Sequence, residues 1–451
     1  MNKMDVNPDW AWEAYEPSIT APWDLGAAAH LFRRGGFGAP RDQLLESVES
    51  EPAKVVEALV GAEEPEVFRQ EMQSLLRAAL ATGNVRQLAA QWAYRMLHTP
   101  APLKEKMTLF WHGHFATSDE KVGDVRLMQA QNDLLRKYAL GDFQALTLEI
   151  SRDPAMLLYL DSATNRKSHP NENYAREIME LFCLGEGVYT EQDVQELARC
   201  FTGWEIKQER YRFNRYQHDS GKKTVLGVAG LESGEEAIRV VTEHPAVPRF
   251  LVRKLFQFFV MDEPEPTEEL LEPLVKQLSG DQMNIGPTLK RILGSNLFFS
   301  PLARARKVRS PVEIGVGFLR AFEGTTDFYQ LADAMYQLGQ GLYQPPSVKG
   351  WDGGRAWINS STLLGRANLI HRMLNGSKTR FGKQPLASYF ETNGVESIEE
   401  IAEMLEVSLF AVRIPKPAID RVKALAAASE DARRVNLAVH AFCTLPEFQV
   451  A

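Results

Sequence analysis

The sequence predicts a mainly α fold: a large multi-helix globular protein with a small β-hairpin insertion near residues 210–228. Three observations carry that expectation. Hydrophobic residues make up 44% and charged residues 24% of the 451-residue chain, the balance of a folded globular protein. Apolar residues recur at helical spacing in segment after segment, each bounded by capping residues, proline or glycine. Alternation of apolar and polar residues is confined to one stretch, at Tyr211 and Phe213 and again at Thr224-Val225-Leu226.

Residues 1–23 carry Trp10, Trp12 and Trp23 among prolines and acids. They are expected to lie as an arm along the body, because three exposed tryptophans would be costly. Asp24 is the expected N-cap of a helix over LGAAAHLFRR that ends at Gly35-Gly36. Helical segments follow near 41–60, 65–82, 84–98, 102–115, 124–139, 142–151, 171–184 and 190–203. In the last of these Thr190 caps and Asp193 sits at the N3 position.

After the hairpin, helical patterning resumes near 234 and runs through 246–260, 267–279, 286–294, 311–322 and 328–339. MDEPEPTEE (261–269) reads as an acidic surface linker. GLYQPPSVKGWDGGRAWINSS (341–361) is a long loop, too aromatic to be a linker. Helices near 397–406, 416–428 and 430–442 complete the chain. The expected organisation is an N-terminal arm (1–23), a main helical domain (24–260) carrying a polar site and the hairpin, and a C-terminal helical region (270–451). The 341–361 loop would close the site. No internal repeat at solenoid periods is visible.

Composition narrows the function. A formal net charge of −8 argues against a general binder of phosphate backbones, so no nucleic-acid partner is expected. Three cysteines, Cys183, Cys200 and Cys443, are too few for a disulfide framework and read as buried thiols. No stretch approaches the ~20 apolar residues of a membrane span. The N-terminus lacks a basic start followed by an apolar run, so a cytoplasmic location is the default expectation.

Four constellations could carry chemistry. In Phe110-Trp111-His112-Gly113-His114-Phe115, a His-x-His pair at a helix end could place two imidazoles around one divalent metal ion. The competing explanation is two hydrogen-bonded histidines among aromatics. In Asn171–Phe182, read as a helix, Asn173, Glu177 and Glu180 share a face with Arg176 beside them. Two carboxylates one turn apart can bind a cation or act as acid and base, or can simply form a solvated face. His218-Asp219-Ser220-Gly221-Lys222-Lys223 could complete a site, or could be a polar hairpin tip. Trp351 and Arg355 stand in the glycine-rich 341–361 loop, of a kind that is often functional.

AAHLFRRGGFGAP, FWHGHFATS, DPAMLLYLD, NENYAREIMELFCLGEGVYTEQDVQELAR, FTGW, HDSGKKTVLG and PPSVKGWDGGRAWINSSTLLGRAN together resemble the bacterial domain-of-unknown-function family numbered 1800. The resemblance spans roughly residues 25–445. Members of that family are often encoded beside a secreted sulfatase-like family, which implies a co-encoded sulfatase-like protein as partner. Cys183 and Cys200 depart from the small residues expected there, which argues against a thiol mechanism.

Two functions follow as expectations. The first is a metal-dependent hydrolase or oxidoreductase. His112, His114 and His218 would be its metal ligands, with Glu177, Glu180, Arg176 and Asp161 as catalytic residues. Asn173, Lys222, Trp351 and Arg355 would bind the ligand. The alternative is a non-catalytic binding or maturation partner that uses the aromatic arm and the Trp351 loop. The first expects His112, His114, Glu177 and Glu180 in one cleft lined by Trp351.

Overall fold

The computed structural model describes residue 4, residues 6–427 and residues 431–451. Residues 1–3 and 5 of the expected arm, and the expected helix ends at 428 and 430, lie outside the described residues. The fold is mainly α: twenty-five α-helical segments are joined by short connections, with three two-stranded antiparallel sheets among the described residues. None of the described helices is long and apolar enough to cross a membrane.

Caps place the helix starts where the side chains dictate. Asp24 accepts from the Ala27 amide at 2.9 Å at the start of Leu25–Gly35. Thr190 and Asp193 form a reciprocal capping box on Glu191–Cys200. The arm is anchored by two of its tryptophans: Trp12 Nε1 donates to Leu270 O, and Trp23 Nε1 donates to Ser47 O at 3.2 Å. Trp10 stays exposed.

Two hydrophobic cores form. One gathers the arm, the helices from Leu25–Gly35 to Pro52–Val60, most of Pro102–His114, and the segments from Leu135 to Ala303. The other is built mainly from residues 88–128 and 312–448. Pro102–His114 is buried along nearly its whole length and contributes to both.

Within that fold class the structure adds detail to two expectations. The single hairpin near 210–228 is two hairpins, Trp204–Lys207 with Arg210–Phe213 and Lys223–Val225 with Val228–Leu231. The first turn runs through Gln208 and Glu209, both at positive φ (52° and 59°), and hides the usual Asn-Gly signal of such turns. The expected 171–184 helix is α-helical only over Asn173–Glu177 and widens to a π-helix over Ile178–Cys183. The π-helix bonds i→i+5 instead of i→i+4, yet Glu177 and Glu180 stay within reach of each other, and the Glu180 charge helps raise the Glu177 pKa.

The 341–361 loop is strapped to the central helix. The Tyr343 amide donates to His112 Nε2 at 3.0 Å, and Tyr343 O accepts from the Asp119 amide at 2.9 Å. Gly350, at φ 77°, sits so close to the end of Pro102–His114 that an added Cβ would lie 2.1 Å from Gly113 O. Gly350→Ala is therefore expected to lift the loop and destabilise the protein by more than about 1 kcal/mol. A lowered melting temperature with altered tryptophan fluorescence would register it; an unchanged melting temperature would show that the loop is not held there.

A buried carboxyl in the DPAMLLYLD segment gives a pH-dependent outcome. Asp153 caps Pro154–Tyr159 through the Met156 amide at 3.0 Å and accepts from Gln131 Nε2 at 2.8 Å. Burial pushes its pKa up to about 7, against those hydrogen bonds. The folded state is thus penalised increasingly as pH rises from the ordinary carboxyl range to about 7, and fully above it. Asp153→Asn keeps the capping acceptor and carries no charge. Its melting temperature relative to wild type is expected to be higher at pH 8 than at pH 5; a pH-independent difference would refute the buried acid.

Candidate functional site

The two histidines of the His-x-His pair are held by backbone groups far away in sequence. His112 accepts the Tyr343 amide on Nε2, so its proton sits on Nδ1. The ring lies among Trp92, Tyr343 and Trp351. Burial pushes its pKa down to about 3, which keeps it neutral. His114 lies among Phe110, Trp111, Phe115 and Phe182. Its Nε2–H donates to Phe182 O at 2.9 Å, and Nδ1 faces Lys254 Nζ at 3.2 Å. Burial and the Lys254 charge hold the His114 pKa well below its usual value.

The end of the π-helix supplies the carbonyls for this arrangement. The Leu184 and Gly185 amides both turn back to Met179 O, leaving the Leu181 and Phe182 carbonyls to other donors. Phe182 O takes the His114 proton, and Leu181 O accepts from Lys254 Nζ at 2.9 Å. The ammonium thus sits at the negative end of a helix. Lys254 also lies over the Phe250 ring, with Nζ 4.5 Å from its centroid. Among the described residues no carboxylate lies within salt-bridge distance of it. Burial pushes its pKa down to about 8.

Lys254 lines a cleft of about 430 Å³ between Pro102–His114, Ala246–Phe259 and the 341–361 loop. Phe110, Phe258, Trp351 and Trp357 make its apolar walls. Most of its charges are spent on one another: Asp262 on Lys307, Glu313 on Lys106, and Glu263 on Arg355 at 2.6 Å. Lys349 and Asp352, also on the lining, are in no ion pair among the described residues, and Lys254, with three N–H bonds and two acceptors, keeps one donor free.

The expected metal shell does not assemble. Among the described residues no group of three or more His, Cys, Asp and Glu side chains is placed to hold one ion. His218 lies between two carbonyls in the hairpin region, Thr202 O and Glu232 O, each at 2.7 Å. Glu180 accepts from Tyr189 OH at 2.7 Å. Glu177 is half-buried, its pKa raised by burial and by Glu180, and it feels the opposing charge of Lys349 on the cleft wall. Arg176 is tied to Glu191 and Glu172. Asp161 pairs with Lys121 at 2.8 Å. Asn173 is exposed. Lys222 is exposed too, while its neighbour Lys223 is buried and donates to the Asp219 and Glu232 carbonyls. Of the expected site residues, His114, Trp351 and Arg355 line the cleft.

Sequence reasoning missed Lys254. The run LVRKLFQFFV reads as an amphipathic core helix, and its two cations part company in the fold. Arg253 turns to Glu268, whereas Lys254 turns to the cleft. The signal was there: a second cation in an apolar run that no carboxylate one turn away could match.

The family described as "Protein of unknown function (DUF1800)" matches the chain over residues 30–450. No curated protein and no solved structure matches it.

Proposed function

The chain belongs to the DUF1800 family, and we propose that the cleft over Lys254 is a recognition site for an anionic small molecule with an aromatic or otherwise flat body. The observation that carries this reading is the Lys254 ammonium, which opens on the cleft with one donor free and no carboxylate partner among the described residues. An unpaired ammonium is costly to bury, and an anionic ligand offsets that cost. The aromatic walls suit a planar body, and about 430 Å³ suits a ligand of metabolite size.

A metal-dependent enzyme built on His112, His114 and His218 gains no support from this geometry. A ring nitrogen of His112 and of His114, and both of His218, lie in hydrogen bonds with backbone groups. Nor does the tryptophan arm favour a partner-docking role, because Trp12 and Trp23 are bonded to the body.

The test is a melting-temperature screen, followed by native mass spectrometry, with aryl and sugar carboxylates, sulfate esters and phosphate esters, each beside its neutral isostere. Anionic members are expected to raise the melting temperature and remain bound, while the neutral isosteres do neither. Equal binding of neutral isosteres, or no binding by any anion of the panel, would refute the reading.

A further inference from the structure

The two partners of Lys254 are both pure acceptors. Leu181 O, at 2.9 Å from Nζ, can only accept. His114 Nε2 faces the Phe182 carbonyl and must carry the ring proton, so the Nδ1 that meets Nζ at 3.2 Å is bare. Each partner therefore takes one N–H bond of the lysine, and neither can face a lone pair.

The lysine nitrogen is tetrahedral. One position is the bond to Cε, two are these hydrogen bonds, and one is left over. In the ammonium that last position is an N–H; in the neutral amine it is the lone pair. The same two hydrogen bonds hold the nitrogen in either state, so losing a proton leaves both acceptors satisfied and turns a donor into a nucleophile. The surroundings favour that loss. Among the described residues no carboxylate lies within salt-bridge distance of Lys254, and its apolar neighbours, Phe250 among them, disfavour the charged form. Lys349, on the same cleft lining, is exposed to water instead.

A neutral amine on the wall of a cleft with Phe110, Phe258, Trp351 and Trp357 meets whatever flat molecule those rings hold. We propose that Lys254, its N–H bonds spent on Leu181 O and His114 Nδ1, captures an aldehyde or ketone with a flat apolar body as a reversible imine. The amine lone pair forms the new C–N bond while the C=O π pair moves to oxygen. The carbinolamine then loses that oxygen as water, which carries away both amine hydrogens, and C=N replaces C=O. His114 Nδ1 is placed to pass one of those hydrogens. The step consumes no oxidant, reductant or cofactor. It rests on the reading of the cleft as a small-molecule site, but not on the ligand being an anion.

The experiment incubates the full chain at neutral pH with benzaldehyde or 4-formylbenzoate, with and without sodium cyanoborohydride, and maps adducts by peptide mass spectrometry. With the reductant, a secondary-amine adduct is expected at Lys254 at least about tenfold faster than at Lys349, because an exposed lysine is almost wholly ammonium at that pH. Without the reductant no adduct should survive, since the imine hydrolyses. Lys254→Met is expected to keep wild-type circular dichroism and to lose the fast adduct, with the slow one at Lys349 unchanged. Equal rates at the two lysines, or modification of Lys349 alone, would overturn the proposal. Anions that bind in the melting-temperature screen while both aldehydes leave Lys254 unmodified would overturn the imine and leave the anion site standing. A fast Lys254 adduct beside an anion panel that does not bind would uphold the imine and refute the anion site.

Discussion

Glu105→Ala is expected to destabilise the protein by about 3–5 kcal/mol, the usual cost of leaving buried cations without their carboxylate. Glu105 is fully buried on the central helix, where its carboxylate accepts from Trp92 Nε1 and Arg95 Nε, each at 2.8 Å, and from Arg136 through Nε and Nη2. Burial alone would raise its pKa, but the charges of Arg136 and Arg95 outweigh that and hold it at about 2. Because the folded-state pKa is depressed, this stabilisation is present at neutral pH and is lost as pH falls from the ordinary glutamate range towards 2. Glu105→Ala would leave the Arg95 and Arg136 guanidinium groups without this carboxylate on the cleft-forming helix. Glu105→Gln keeps the volume and one acceptor, so its loss is expected to be smaller. Urea unfolding midpoints at pH 7 measure both; a loss below about 1 kcal/mol for alanine would show that the network contributes little.

Lys254→Met is expected to do the opposite: to spare the fold and remove the function. Methionine fills the space of the lysine stem beside Phe250 and removes an ammonium with no carboxylate partner, so the melting temperature should hold or rise. Wild type carries the cost of that ammonium in full below a pH of about 8 and is relieved as pH climbs towards the ordinary lysine range. The advantage of methionine is therefore expected at pH 7, should fade as pH rises from about 8, and should be gone above pH ~10.4, where the unfolded lysine is also neutral. Affinity for an anionic ligand from the screen should fall tenfold to a hundredfold, about 1.5–3 kcal/mol for a charge-assisted hydrogen bond. Calorimetry on the two proteins decides it; an unchanged Kd would place the anion elsewhere.

Much of the fold was legible because caps and breakers are local. Asp24, Thr190 with Asp193, and the prolines at helix starts set boundaries that the structure keeps. The site was less legible because its bonds are not local. The partner of His112 is an amide 231 residues away, and that of His114 is a carbonyl 68 residues away. Glu177 and Glu180 stay within reach of each other's charge, but neither the π-helix over Ile178–Cys183 nor the Tyr189 hydroxyl on Glu180 could be read from local spacing. The Trp351 loop stood out by composition, and its Gly350 contact with Gly113 explains why that loop holds glycine there. Lys254 could be found only once the fold had separated paired cations from unpaired ones.

The central claim is that Lys254 is a half-buried amine awaiting an anion, and the direct measurement is its own titration. Competitive acetylation across pH, read by mass spectrometry at Lys254, gives its apparent pKa in the free protein and with an anionic ligand bound. The account predicts a value near 8 in the free protein, moving up when the ligand binds. Titration at the ordinary lysine value of about 10.4, or a value near 8 that a saturating anion leaves unmoved, would contradict it.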